Sequence, residues 1–259
     1  MKPIQIARKI VQLSGVVLYL TPLFGFTFFL GNLSSTLILN VPFTDPLAAV
    51  ELLFSTKSFT SSLLISSFLV FFLYLIVGGR VFCSWACPIH LITEVTEIAG
   101  KKLDVFEKLP PLQVKWITLA FTFLFSLLLS IPVFEVVSPI GIFVRSLFFG
   151  IGSNIIIIIG IILLEIFLYR RVWCRTLCPL GGFYSLIGRF SPLKVKFYKE
   201  RCTHCYECKK QCLVEEVLDP SLERGDSWII SGECTNCGYC ISDCPTKALK
   251  FGIRNPLGK

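Results

Sequence analysis

The chain has 259 residues, a formal net charge of +8, 54% hydrophobic residues and only 16% charged ones. So little charge is hard to reconcile with the solvated surface of one or two soluble domains. Its Lys and Arg are spread along the chain instead of forming one basic stripe, which argues against a nucleic-acid-binding module and leaves a membrane protein as the expected class.

Four apolar runs, near Val11–Gly31, Phe59–Val77, Trp116–Phe134 and Ile151–Tyr169, each approach the roughly 20 helical residues needed to cross about 30 Å of hydrocarbon. Lys2, Arg8 and Lys9 precede the first run as they would in a secretory signal. The run is longer than a signal core and lacks a small-residue cleavage site, so a retained helix is expected. Arg80, Lys101, Lys102, Lys108 and Lys115 fall between the second and third runs, and Arg170, Arg171 and Arg175 follow the fourth. The opposite loops hold only Lys57 and Arg145. This asymmetry predicts both termini on the cytoplasmic side of a bacterial inner membrane. The expected fold is a polytopic α-helical membrane protein: four transmembrane helices over residues 1–198, then a small α+β two-cluster ferredoxin-like domain over 199–259.

After the first run, Asp45-Pro46 reads as an N-cap with proline at the first helical position, and Ser138-Pro139 reads the same way further on. The second run ends in GGRVFCSWACPI and the fourth in YRRVWCRTLCPL. The shared Arg-Val-aromatic-Cys-x3-Cys-Pro recurs at an offset of 91 residues, placing Cys83 and Cys87 in one copy and Cys174 and Cys178 in the other. Both copies lie on the same side, so the duplicated units are parallel repeats, and face-to-face packing would bring four thiols together. Pro88 and Pro179 are expected to start interfacial helices. In the first, Ile89, Ile92, Val95 and Ala99 form an apolar face and Thr93, Glu94, Thr96 and Glu97 a polar one. Cys87 and Cys178 then precede helix N-termini, with Arg80, Arg171 and Arg175 nearby, a setting that favours thiolate. The four cysteines are candidates for a third redox or metal site, against the plainer reading of free cysteine as a small buried hydrophobe.

Ionisable residues toward the other side are candidates for meeting a lipophilic electron donor. A quinol losing electrons needs a proton acceptor, which makes Glu51, Glu135 and Arg145 the candidate quinol site, weighed against ordinary solvated loop charges. Asp45 and Lys57 lie in the same region. Glu165 falls inside the fourth run, where a carboxylate suggests function or a buried partner, and Arg170 about one turn away could supply that partner. Trp85, Trp116 and Trp173 are expected to anchor at membrane boundaries. His90 reads as interfacial packing in preference to a ligand.

All twelve cysteines lie from Cys83 onward. On the predicted cytoplasmic side they are better read as ligands than as disulfides. Cys202-x2-Cys205-x2-Cys208-x3-Cys212 and Cys234-x2-Cys237-x2-Cys240-x3-Cys244-Pro245 place three thiolates around one cubane and send the fourth across to the other. Two [4Fe–4S] clusters follow, one on Cys202, Cys205, Cys208 and Cys244, the other on Cys234, Cys237, Cys240 and Cys212. Paired zinc sites are the competing reading, although they do not need this triple spacing twice. His204 reads as a surface residue beside the ligands.

The segment CTNCGYCISDCP resembles the second cluster motif of bacterial two-cluster ferredoxins, and the first block departs from it only in having Leu213 where proline usually follows. With the four apolar runs and the two Cys-x3-Cys-Pro motifs, the whole chain resembles the NapH-type membrane ferredoxins, a group related to NosR, NosH and the CcoG/RdxA/FixG proteins. The resemblance implies a subunit of a quinol dehydrogenase that takes electrons from menaquinol or ubiquinol. They would pass through a NapG-like iron–sulfur partner and a c-type cytochrome toward a periplasmic nitrate or nitrous oxide reductase. The runner-up is a copper reductase or assembly factor of the CcoG type, and a docking anchor is the third reading. No C-x-x-C-H motif is present for c-type haem, and the two histidines are too few for a bis-histidine haem within the runs.

Overall fold

A computed structural model describes residues 3–21, 29–32, 35–38, 41–56, 61–102, 111–150, 152, 155–167, 171–210 and 212–255. In chain order these form α1 (Pro3–Leu20), β1 (Phe29–Asn32), β2 (Ser35–Ile38), β3 (Val41–Thr44), α2 (Pro46–Thr56), α3 (Ser61–Val77), α4 (Val81–Trp85), α5 (Pro88–Lys102), α6 (Val114–Leu129), α7 (Val133–Val137), α8 (Pro139–Phe149) and α9 (Ile155–Phe167). A π turn at Trp173–Leu177 leads into α10 (Pro179–Phe190) and β4 (Leu193–Phe197). Then come α11 (Glu207–Lys210), α12 (Asp219–Arg224), β5 (Trp228–Ile229), α13 (Tyr239–Asp243) and β6 (Leu249–Ile253).

The four transmembrane helices predicted from the apolar runs are not found: among the described residues no helix is long and apolar enough to cross a membrane. The polytopic membrane fold is therefore corrected. Hydropathy had merged what the backbone divides. The first run ends as helix at Leu20 and resumes as strand at Phe29, and the 18 residues of α1 include Gln5, Arg8, Lys9 and Gln12. At 1.5 Å per residue, the 17 residues of α3 reach about 26 Å, the 16 of α6 about 24 Å and the 13 of α9 about 20 Å. All fall short of the roughly 30 Å required. Ser130, with φ of 52° in the left-handed region, stops α6 just before Pro132. Lys2, Lys57, Lys108 and Arg170, used in the charge asymmetry, lie outside the described residues, as do the side chains of Ala99, Lys101 and Lys102.

The chain divides into two units. The first joins residues 1–12, 73–86 and 184–259. Its sheet has the order β5-β4-β6, all antiparallel, with Val195 opposite both Ile229 and Phe251. Val195, Phe197, Ile229 and Leu249 are buried with Val214, Leu218 and Ala248. Tyr74, Phe82 and Tyr184 gather nearby, with ring centroids 4.8 to 6.2 Å apart. Gly79, Gly188 and Gly232 let three backbone segments meet: a Cβ on Gly79 would strike the Tyr184 carbonyl, and one on Gly232 the Ser185 carbonyl.

The second unit joins residues 13–72 and 87–183. The meander β1-β2-β3 leads into α2, which is capped as predicted, Asp45 Oδ1 accepting from the Leu47 amide at 2.8 Å. Pro139 also starts α8 as predicted, but the Ser138 side chain makes no capping bond. Helix α5 packs against α9 with its polar face inward and Ile89 buried beside it. Thr93, Glu94, Thr96 and Glu97 are buried, whereas Val95 is 61% exposed. The amphipathic period was real, but α9 and the π turn supply polar partners that draw the polar face inward.

Candidate functional site

The two cysteine blocks follow the same backbone path. In each, the residue two after the first cysteine and the residue after the second adopt positive φ: His204 (52°) and Tyr206 (57°) in the first block, Asn236 (49°) and Gly238 (73°) in the second. These left-handed turns curl the short Cys-x2-Cys segments. Burial pushes the Cys208 thiol up to about 11, and the charges of Cys244, Cys202 and Cys205 add to that. Burial also raises Cys212, with Cys237, Cys234 and Cys208 adding, and raises Cys240, with Cys237, Cys234, Cys212 and Cys208 adding, so the charges of the two blocks act on one another. Cys244 goes the other way. Burial opposes its thiolate, but hydrogen bonds from Thr246, Ala248 and Leu249 together outweigh that and hold it below the usual thiol range.

Thiols whose charges act on one another repel once ionised, so they suit a cation that supplies the counter-charge. Among the described residues no three His, Cys, Asp or Glu close around a single metal ion. The eight thiols of the two blocks are the soft donors that iron–sulfur clusters take. Backbone amides of His204 and Ala248 donate to Cys202 Sγ (3.4 Å) and Cys244 Sγ (3.2 Å). Cys205 and His204 are exposed, so the first block has an open edge.

The second block is held from outside by residues of the first Cys-x3-Cys-Pro motif and of α1. Arg80 donates to the Glu233 carbonyl (3.2 Å), Ser84 to Thr235 (2.7 Å), Trp85 to Asn236 (3.1 Å) and Gln5 to Cys237 (3.1 Å). Gln12 ties α1 to α4 through the Ser84 carbonyl at 2.7 Å, and Arg8 donates to the Tyr239 hydroxyl at 2.8 Å. In a trans peptide the N–H points opposite the C=O, so fixing four carbonyls toward α1 and α4 turns the following amides away from those helices. Trp85 thus serves this loop. Only Arg80, read as a charge near Cys87, hinted at these supports.

Cys83 belongs to the first unit; Cys87, Cys174 and Cys178 belong to the second. Within the second, Cys174 Sγ lies 3.7 Å from Thr93 Oγ1 on α5, the helix that Cys87-Pro88 opens. The same face holds His90, whose Nε2 is 3.4 Å from Glu94 Oε1. Glu165 accepts from Thr96 (2.7 Å) and from the Trp173 amide (3.4 Å). Arg171 supplies a buried cation nearby, its Nε pairing with Glu97, and Arg170 lies outside the described residues. Burial opposes the Arg171 charge, yet Glu97 and Glu94 hold its pKa above the ordinary value.

Glu51, Glu135 and Arg145 also share the second unit. Arg145 donates to the backbone carbonyls of Glu135 (3.1 Å) and Val136 (2.8 Å), so its guanidinium closes the end of α7. Glu51 is 0% exposed; Oε1 accepts from the Phe134 amide (3.0 Å), and Oε2 has no hydrogen-bond partner among the described residues. Burial pushes its carboxyl up to about 7, the Phe134 amide opposing and the charges of Glu135 and Asp45 adding. Phe134 in turn lines an apolar cavity of about 300 Å³ with Phe121, Phe125, Val133, Trp173 and Leu177. That volume is at the lower limit for small-molecule sites.

A family model described as a 4Fe-4S binding domain matches twice, at residues 60–105 and 151–198, two starts separated by the repeat offset of 91. A 4Fe-4S dicluster domain matches residues 194–246. The chain is 34% identical to the methylamine utilization ferredoxin-type protein MauN of Methylorubrum extorquens, over 95% of this chain and 88% of that one. It is 29% identical to the ferredoxin-type protein NapH of Haemophilus influenzae (95% and 88%) and 28% to NapH of Escherichia coli (92% and 85%). No solved structure matches the chain.

Proposed function

The chain belongs to the ferredoxin-type family of MauN and NapH, which makes it an iron–sulfur electron-transfer protein with redox partner proteins, and we propose that a quinol is its electron donor. The observation that carries this reading is Glu51, a buried carboxyl near neutrality with one unpartnered oxygen, bonded to the residue that walls an apolar cavity. A quinone ring and its isoprenoid chain suit such a cavity, and a base that titrates near neutral pH is suited to take the proton a quinol releases.

In this proposal Cys202, Cys205, Cys208 and Cys244 hold one [4Fe–4S] cluster and Cys234, Cys237, Cys240 and Cys212 hold a second. Bound clusters supply one-electron carriers to a two-electron donor. The segment 199–259 is the ferredoxin-like part. The acceptor is a partner iron–sulfur protein leading to a periplasmic reductase of nitrate or nitrous oxide, and the name of the MauN relatives sets methylamine utilization beside it. We place the protein at the cytoplasmic membrane with the cysteine blocks on the cytoplasmic side. Exposed apolar side chains such as Phe68, Phe72 and Ile76 on α3, and Leu124 and Leu128 on α6, support contact with lipid.

Anaerobic mixing of the cluster-loaded protein with a short-chain quinol, followed by bleaching of the visible absorbance, tests the donor. Wild-type protein is reduced, and Glu51→Gln slows reduction about a hundredfold, the scale of losing a positioned base. Protein that dithionite reduces but quinol does not overturns the reading.

A further inference from the structure

The strand Leu193-Lys194-Val195-Lys196-Phe197 alternates apolar and polar residues, and by its period both lysines belong on the solvent side. Lys196 is only half-buried, its Nζ 5.1 and 5.5 Å from the ring centres of Tyr198 and Trp228. Lys194 is 3% exposed. Its Nζ donates to the carbonyls of Gly188 (2.5 Å), Ile230 (3.1 Å) and Ser231 (3.5 Å). These occupy its three donors. No carboxylate pairs with it among the described residues. A buried ammonium ion with no counter-charge is costly, and proteins rarely keep one without a use.

The missing counter-charge is at hand. The Ser231 carbonyl that takes Lys194 Nζ also accepts the Cys234 amide at 3.3 Å, and the charges of Lys194 and Cys234 act on one another. Arg80 acts on Cys234 too, but Glu233 balances it with a carboxylate 2.6 Å away. Lys194, on which Arg254 acts as a further positive charge, is thus the buried cation that shares the Ser231 carbonyl with the Cys234 amide.

We propose that Lys194 is the built-in counter-cation of the cluster carried by Cys234, Cys237, Cys240 and Cys212, and that it raises the reduction potential of that cluster. Reduction adds one electron and no proton, taking a four-thiolate cluster from dianion to trianion; the reductant is a quinol in the cell and dithionite in the test. Burial of these thiols penalises the added negative charge, and a fixed cation in the same low-dielectric surroundings offsets it. Such an offset brings the site toward the potential of a quinol donor. The inference rests on the cluster-ligand reading above but not on the quinol reading.

The test is an EPR-monitored potentiometric titration of the anaerobically reconstituted chain, poised with dithionite and mediators. Lys194→Met is expected to weaken the preference for the reduced state about tenfold in one of the two cluster signals. That corresponds to a midpoint about 59 mV lower for one electron. The other signal keeps its midpoint, and Lys196→Met moves neither. Thermal melting gives a second readout: Lys194→Met and Lys194→Gln melt higher than wild type when metal-free, because a buried charge without a counter-ion is gone, and not higher when loaded. Unchanged midpoints in Lys194→Met, an equal fall in both signals, or equal destabilisation of metal-free and loaded protein overturns the proposal. A wild-type chain that takes up no iron and sulfide removes the cluster-ligand reading and this proposal with it, whereas clusters that quinol fails to reduce leave the Lys194 titration decisive.

Discussion

The fully buried guanidinium of Arg80 lies 2.6 Å from Glu233 Oε2, a carboxylate 153 positions further along the chain and immediately before Cys234. Through this pair the Gly-Gly-Arg turn before α4 holds the loop that carries the second cysteine block. Removing one partner of a buried ion pair leaves the other uncompensated, at a cost of about 3 kcal/mol. Arg80→Met is therefore expected to lower the free energy of unfolding in guanidinium by about that much. Double substitution with Glu233→Gln should recover part of the loss.

Glu51 makes stability depend on pH with a definite sign. Its folded-state pKa, about 7, lies above the ordinary carboxyl value of 4.5, so between these values the folded protein binds more protons than the unfolded chain. The stability this shift contributes is fully present below about pH 4.5 and is lost as pH rises through 7, roughly 3 kcal/mol in all. Denaturant titrations at pH 5, 6, 7 and 8 should show the fall, and Glu51→Gln should remove this share of it.

The pair Arg171 and Glu97 makes a parallel case in the second unit. Both are buried, and Glu94 adds its charge to the arginine. Glu97→Gln should cost about 3 kcal/mol by calorimetry or chemical unfolding, while Val95→Gln, on the exposed side of the same helix, should stay within about 0.5 kcal/mol. Equal costs at the two positions would mean that the polar face of α5 is not held by buried partners.

Gly232 has no room for a methyl group, since a Cβ there meets the Ser185 carbonyl and the Arg189 amide, both backbone. Gly232→Ala must push α10 away from the loop before Cys234. The expected outcome is a loss of more than about 3 kcal/mol, accompanied by reduced iron content after reconstitution. Gly160→Ala, in open space on α9, should be neutral or slightly stabilising.

What could be read from the sequence was whatever depends on spacing. The Cys-x2-Cys-x2-Cys-x3-Cys blocks and the 91-residue recurrence of Arg-Val-aromatic-Cys-x3-Cys-Pro pointed to the family, and a 4Fe-4S family model finds both copies at that offset. Prolines 46, 88, 139 and 179 marked helix starts because their fixed φ and missing N–H suit that position. Helix length was not legible. Hydropathy does not see a backbone break, so Val11–Gly31 concealed a helix followed by a strand, and Ser130 ended α6 without an apolar-to-polar signal. Nor did the pattern of α5 say which face turns inward, because that depends on Glu165, Arg171 and Cys174, about 70 to 80 positions away. Lys194 was hidden for a related reason: alternation assigns it to a face of β4, but only the fold reveals that Gly188 and Ser231 cover that face.

The most direct test is the EPR spectrum of the reconstituted chain after anaerobic addition of a quinol as the only reductant, with iron and acid-labile sulfide counted on the same sample. Two cross-ligated clusters fed by a quinol predict about eight irons per chain and reduced [4Fe–4S] signals without dithionite. A chain with its full iron that stays silent with quinol, and gives those signals only with dithionite, contradicts the account.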